Sequence, residues 1–249
     1  MKRFIILTVL FFFISVPVYG AGKAIGVSDP TKVCGAVSAK VAGVAVTPTG
    51  SCAYVHCNGF ETQADDGDWF TVDGAGTPDY DNTTFSPEGS ESMYLVGTNP
   101  GPAESAYIAV TARAETWITF QIRANDNNEG DEDVVYLYNG STLLATLTCN
   151  SETDWSVTAE GGTESGEEDA NINTSTWYIK LRFKQGTGAN AEIEFWACTD
   201  GTTWAKNLSS TNGTSTAQVN KVVFQNTHDT EVMWIDNFME NSADIADAT

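Results

Sequence analysis

Glu192 and Glu194 stand two residues apart where Ala191, Ile193, Phe195 and Ala197 alternate with Glu192, Glu194, Trp196 and Cys198. Strict period-two alternation marks a half-buried β-strand, so both carboxylates share a face, with side chains starting ~7 Å apart. Two carboxyls separated by ~5–5.5 Å are what a retaining glycosidase uses, one as nucleophile and one as acid and base. An ordinary solvated strand face explains the same pair. Trp196 beside them offers something different: a flat ring on which the apolar side of a pyranose stacks while polar neighbours bond its hydroxyls.

The elements that must position these residues are strands. Residues 177–184 alternate Trp177, Ile179, Leu181 and Phe183 with Tyr178, Lys180, Arg182 and Lys184. The connecting Gln185-Gly-Thr-Gly-Ala-Asn190 is a turn sequence, which makes 177–198 an antiparallel hairpin. In 116–123, Ile118, Phe120 and Ile122 point one way and Trp117, Thr119, Gln121 and Arg123 the other; in 134–138 the outward set is Val134, Tyr136 and Tyr138. Trp117, Gln121, Arg123, Tyr136, Glu192, Glu194 and Trp196 are therefore the expected carbohydrate-binding residues. Burial of these aromatics against a loop is the structural alternative.

Further strands are expected at 53–61, 69–72, 92–96, 106–113, 143–149, 155–158, 218–225 and 231–238, separated by Gly, Asn, Asp and Pro clusters. No segment keeps helical periodicity over ten residues, and no repeat of fixed period occurs. A dozen strands without a long helix give an all-β, two-sheet antiparallel jelly-roll sandwich. Residues 1–20 read as a signal peptide: Lys2 and Arg3, an apolar run of about 13 residues, then small residues before cleavage after Gly20. That run is shorter than the roughly 20 residues of a membrane span, and none follows. Residues 21–52 form an N-terminal extension, 53–240 the sandwich, and 241–249 a C-terminal tail.

The chain carries 12 Lys and Arg against 33 Asp and Glu, a net charge of −21; without Lys2 and Arg3 the balance is ten to 33, or −23. Such a surface excludes nucleic acid and disfavours anionic polymers, and fits neutral glycans, divalent cations or plain solubility. Five cysteines in an exported chain favour disulfides, with Cys52–Cys57 and Cys149–Cys198 the guessed pairs and Cys34 left over. The two histidines, His56 and His228, support no nucleophilic triad.

Phe60-Glu61 after a short strand, Asp68-Trp69, and Ser86-Pro-Glu-Gly-Ser-Glu-Ser-Met-Tyr-Leu95 come in that order. Ser175-Thr-Trp-Tyr-Ile-Lys-Leu-Arg-Phe183 and Thr230-Glu-Val-Met-Trp-Ile-Asp-Asn-Phe238 follow. Together they resemble the concanavalin A-like lectin/glucanase (laminin-G-like) jelly rolls over roughly residues 53–240, and parts also resemble galactose-binding-like modules. The resemblance implies sugar or surface recognition and a structural Ca²⁺, with Glu61, Asp68 and Asp236 as expected metal ligands. Glucanases of this superfamily use a longer Glu-x-Asp-x-(x)-Glu run, whose third carboxylate is missing from Glu192-Ile-Glu-Phe-Trp-Ala-Cys198. The leading expectation is a secreted, non-catalytic lectin-like domain that binds a glycan or cell-surface polysaccharide. The alternatives are a structural or assembly protein of the cell surface or matrix, as a homo-oligomer, and a glycoside hydrolase or polysaccharide lyase on the same fold.

Overall fold

The computed structural model describes residues 39–41, 44–46, 56–58, 60, 70–73, 76–86, 91–97, 104–125, 131–150, 154–166, 168–169, 171–173, 175–227 and 232–242. The expected signal peptide, Cys34, Cys52, the calcium candidates Glu61 and Asp68, and His228 lie outside them. Among the described residues there is no helix, so none long and apolar enough to cross a membrane.

In chain order the strands are β1 (Ala39–Val41), β2 (Val44–Val46), β3 (His56–Asn58), β4 (Phe70–Val72), β5 (Asp79–Asn82), β6 (Ser92–Val96), β7 (Glu104–Arg113), β8 (Glu115–Asn125) and β9 (Asp131–Asn139). They continue with β10 (Thr142–Asn150), β11 (Asp154–Ala159), β12 (Glu168–Asp169), β13 (Trp177–Lys184), β14 (Ala191–Cys198), β15 (Ala205–Gly213), β16 (Val219–Asn226) and β17 (Val232–Asn241). A seven-stranded sheet runs β12-β11-β10-β9-β16-β7-β4. An eight-stranded sheet runs β15-β14-β13-β8-β17-β6-β5, with β3 added along β17, and β1 pairs only with β2. Every pairing is antiparallel, and the β13–β14 hairpin closes as its turn residues require, Tyr178 opposite Cys198 and Lys184 opposite Glu192.

The inward sets of the two sheets make one core. From the eight-stranded sheet come Ile118, Phe120 and Ile122, Ile179, Leu181 and Phe183, and Ile193 and Phe195; from the other come Ile108, Val135, Leu137, Leu147, Val157 and Phe224. Trp155 stacks on Phe195 across the gap at 5.8 Å and 16°. Farther along the sandwich Phe224 meets Phe120 and Phe238 edge-on, at 5.0 Å and 5.9 Å, and Phe70 meets Phe238 edge-on at 5.5 Å. Such pairs add about 0.5–1.5 kcal/mol each beyond the area they bury.

Two strands depart from strict apolar alternation. β15 is an edge strand whose inward positions over 208–213 are Leu208, Ser210 and Gly213, so only one of these three is apolar and bulky. Ser210 Oγ is satisfied there, accepting from Ala159 N at 2.9 Å and donating to Thr163 O. A Cβ on Gly213 would sit 2.7 Å from that of Ala159, so close packing holds the position to glycine. β17 carries a bulge between Asp236 and Met239, with Asn237 at φ 47°.

The guessed Cys149–Cys198 disulfide is not formed. Cys149 lies near the end of β10 in one sheet and packs in the core, whereas Cys198 ends β14 in the other sheet, on the outward side with Glu194 and Trp196.

Candidate functional site

Pairing register assembles the outer face of the eight-stranded sheet row by row. Glu194, Arg182 and Trp117 lie in one row, Trp196, Lys180 and Thr119 in the next, and Cys198, Tyr178, Gln121 and Asp236 in the third. The alternation places all of them away from the core. Trp117 and Trp196 consequently meet face to face over β13, ring centroids 5.5 Å apart and planes at 23°. Trp204, which precedes β15, joins them: the Lys180 ammonium lies 5.8 Å, 5.4 Å and 4.9 Å from the rings of Trp117, Trp196 and Trp204. A cation over aromatic faces is attracted by their quadrupoles, more strongly where water is excluded, and Lys180 is only 6% exposed.

Trp204 is brought there by a turn. The Asp200 carboxylate accepts from the N–H groups of Thr202 and Thr203, at 2.9 Å and 2.8 Å, and from the Thr203 hydroxyl at 2.7 Å. These bonds, the Thr203 N–H foremost, hold its carboxyl below the usual range. Gly201 follows at φ 69°, where a side chain is disfavoured.

The carboxylates converge on one guanidinium. Arg182 reaches Glu194 at 2.6 Å, Glu115 at 3.0 Å and Glu192 at 3.9 Å, and Trp117 Nε1 donates to the same Glu115 oxygen at 3.0 Å. Hydrogen bonding from Arg182 holds the Glu115 carboxyl below its ordinary value against the opposing effect of burial. Burial likewise works against the Arg182 charge, but bonds from Glu115 and Glu194 outweigh it and raise the guanidinium above its ordinary value.

Toward the other edge lies a second aromatic group. Trp234 packs 5.5 Å from Phe85 and 5.6 Å from Tyr94 and donates from Nε1 to Asn82 at 3.2 Å. Arg123 covers the Phe85 ring at 4.3 Å. Burial, then the charges of Glu104 and Asp79, push the Tyr94 hydroxyl up. Between the two groups run Thr119 and Gln121, each 2% exposed; their Oγ1 and Oε1 atoms make no hydrogen bond among the described residues.

Of the residues expected from sequence, Trp117, Trp196, Glu192 and Glu194 come together. Gln121 shares their face in the buried strip, and Arg123 serves the second aromatic group. Tyr136 does not join them: β9 belongs to the seven-stranded sheet, and its outward side is the opposite surface of the sandwich. Lys180, Arg182, Glu115, Trp204 and Trp234 complete the face; Arg182 and Lys180 were visible in sequence as the outward set of β13. Asp236 is wholly buried, its carboxylate accepting from Asn237 N at 2.7 Å and from Ser86 Oγ at 3.3 Å. Among the described residues no three His, Cys, Asp or Glu side chains gather as a metal site.

No protein-family profile and no curated protein matches the chain. Solved structures do. The structure named cellulose induced protein, Cip1, is 14% identical, covering 77% of this chain and 99% of its own at a TM-score of 0.53. An endo-beta-1,4-glucuronan lyase from the fungus Trichoderma reesei is 10% identical over 77% of this chain and 92% of its own, with a TM-score of 0.48. The exoplasmic/lumenal domain of VIP36, in its Ca²⁺/Man3GlcNAc-bound form, is 11% identical over 71% and 87%, with a TM-score of 0.46. The architecture is the two-sheet antiparallel jelly-roll sandwich expected from the chain, a fold it shares with Cip1.

Proposed function

We propose that this is a secreted, non-catalytic, carbohydrate-binding jelly roll whose outer face on the eight-stranded sheet receives a neutral glycan chain. The observation that carries the reading is the stacked Trp117–Trp196 pair, set beside charged groups that neutralise one another. Pyranose rings offer apolar faces to indoles and hydroxyls to the part-exposed carboxylates of Glu192 and Glu115.

Neutrality follows from charge. Arg182 is engaged by glutamates and Lys180 is enclosed by indoles, so neither cation offers itself to a uronate or a sulfate. The net charge of −21 repels acidic polymers as well. Glycosidic cleavage by the Glu192/Glu194 pair is disfavoured for a related reason: Glu194 is 7% exposed and held by Arg182 at 2.6 Å, so it is not presented to a glycosidic oxygen.

The test is binding of the purified protein to a polysaccharide panel, with calcium and then with chelator. Neutral chains should be retained at least about tenfold more tightly than polygalacturonate or alginate, a difference of about 1.4 kcal/mol. Preference for the uronates, or release of reducing ends or unsaturated sugars, would overturn the reading. Calcium belongs to it through Asp236 with Glu61 and Asp68, because a wholly buried carboxylate is stabilised by a nearby cation. Chelator should then lower the melting temperature, and an unchanged melt would remove the ion from the proposal.

A further inference from the structure

The seven-stranded sheet has an outer face of its own, and its chemistry differs from the rest of this acidic molecule. Register sets Thr158, Thr146, Tyr136, Val223, Tyr107 and Thr71 in one line across six strands. The neighbouring line holds Tyr138, Lys221 and Ala109. Tyr136 and Tyr138 are adjacent, with centroids 6.0 Å apart and planes tilted by 33°. Val223 is directed outward yet is 2% exposed, flanked in register by Tyr107 and Tyr136. Those two tyrosines are themselves half-buried beside it.

Only one cation stands in these lines, and it is neutralised. Lys221 Nζ is 2.6 Å from Asp73 Oδ2 and lies 4.4 Å and 5.6 Å from the rings of Tyr107 and Tyr138. A band of tyrosine faces and threonine hydroxyls without net charge, on a chain of net charge −21, is matched to an uncharged, hydroxyl-rich ligand. It is poorly matched to a second copy of the chain, since docking would bring two such negative charges together. Because the two sheets pack through their inner faces, this band and the Trp117–Trp196 face point to opposite sides of the sandwich.

We propose that the Tyr107/Tyr136/Tyr138 face is a second binding surface for neutral polysaccharide, so that one domain joins two chains. It takes its ligand class from the proposed function but not its residues, so the two can fail separately. The probes are hydroxyethyl cellulose, galactomannan and xyloglucan, with retardation in affinity electrophoresis and light scattering of the mixtures as readouts. The wild-type protein should be retarded and should raise scattering in proportion to the polymer joined. Tyr136→Leu/Tyr138→Leu, which keeps apolar cover over Val223 but removes two ring faces, should still be retarded while losing at least fivefold of the scattering increment. Trp117→Ala/Trp196→Ala should likewise lose the scattering while keeping residual retardation, and the combined variant should run unretarded. Matching circular dichroism and melting curves exclude unfolding as the cause. Unchanged scattering by the tyrosine variant overturns the proposal and leaves the tryptophan face standing. Full retardation of the tryptophan variant, lost on adding the tyrosine changes, overturns the tryptophan site and the joining of two chains, and leaves the tyrosine face as a single surface. No retardation of wild type by any probe, or a wild-type dimer in sedimentation that the tyrosine variant splits, overturns the proposal as well.

Discussion

Replacing Trp117 and Trp196 together by alanine should weaken binding of neutral polysaccharide to the eight-stranded sheet by roughly 100- to 1,000-fold, about 3–4 kcal/mol. Aromatic anchors at recognition surfaces commonly account for that much when both are lost. The fold should survive, because both rings lie on the outer side and neither is part of the core cluster. Each replacement also removes part of the enclosure of Lys180, so Trp117→Phe/Trp196→Phe is the informative companion. It keeps ring faces near the ammonium and should retain most of the affinity. Calorimetric titration of a soluble oligosaccharide, alongside near-ultraviolet circular dichroism, reads both effects. Undiminished affinity in the alanine variant would remove the pair from the site.

The largest stability effect should come from Arg113→Met. Beyond the bulge in β17, Glu240 lies opposite Ile118 and turns inward, with a side chain fully shielded from solvent. Arg113, at the end of β7 in the other sheet, forms an ion pair and hydrogen bond with it. The pair thus ties one sheet to the other. Taking away the cation leaves a buried carboxylate short of its counter-charge, a change that costs about 3–5 kcal/mol. Arg113→Met/Glu240→Met should restore much of the loss, since a buried pair replaced by apolar groups of similar volume is often neutral.

The pH dependence carries the same signature. Burial raises the Glu240 carboxyl above its ordinary value, with Arg113 opposing. A group that holds its proton more tightly in the folded state stabilises the fold below its unfolded value, roughly 4.3, and that contribution is lost as pH rises through the folded value. Without Arg113 the opposing pull is gone, so the folded value moves higher. The variant's melting deficit should therefore be largest near pH 7 and should shrink as pH falls toward 4.5. A deficit independent of pH would mean that packing of the arginine stem, not charge, is what Arg113 contributes.

How far the fold could be read from the chain depended on what fills the inward positions. β6, β13 and β14 match their expected bounds residue for residue, because apolar side chains occupy every inward site of their alternation. β15 escaped notice because Ser210 and Gly213 occupy two of the three inward positions over 208–213, and a hydroxyl bonded across to β11 does the work a methyl would do elsewhere. β5 reads Asp-Tyr-Asp-Asn and, among the described residues, is paired on one side. The site was legible in composition and not in assembly. Alternation says which side chains leave the core, but not through which sheet; hence Tyr136 was grouped with Trp117, from which the whole sandwich separates it. The gathering of three glutamates at Arg182 likewise depends on the neighbouring registers of β8, β13 and β14, which no single segment encodes.

The bulge at Asn237 also bears on how this strand can change length over generations. Asp236 faces Gln121 and Met239 faces Thr119, so β17 spends one more residue than β8 over that stretch. Loss of the codon for Asn237 alone would leave Phe238 opposite Phe120, with every partner on both sides still in phase. Loss of a codon from the paired stretch on either side would instead invert the facing of the residues beyond it, up to the nearest point of compensation. A gap in related chains is thus most tolerable at Asn237, the one place in β17 where a single-residue deletion preserves both the buried Phe238 and the outward Asp236.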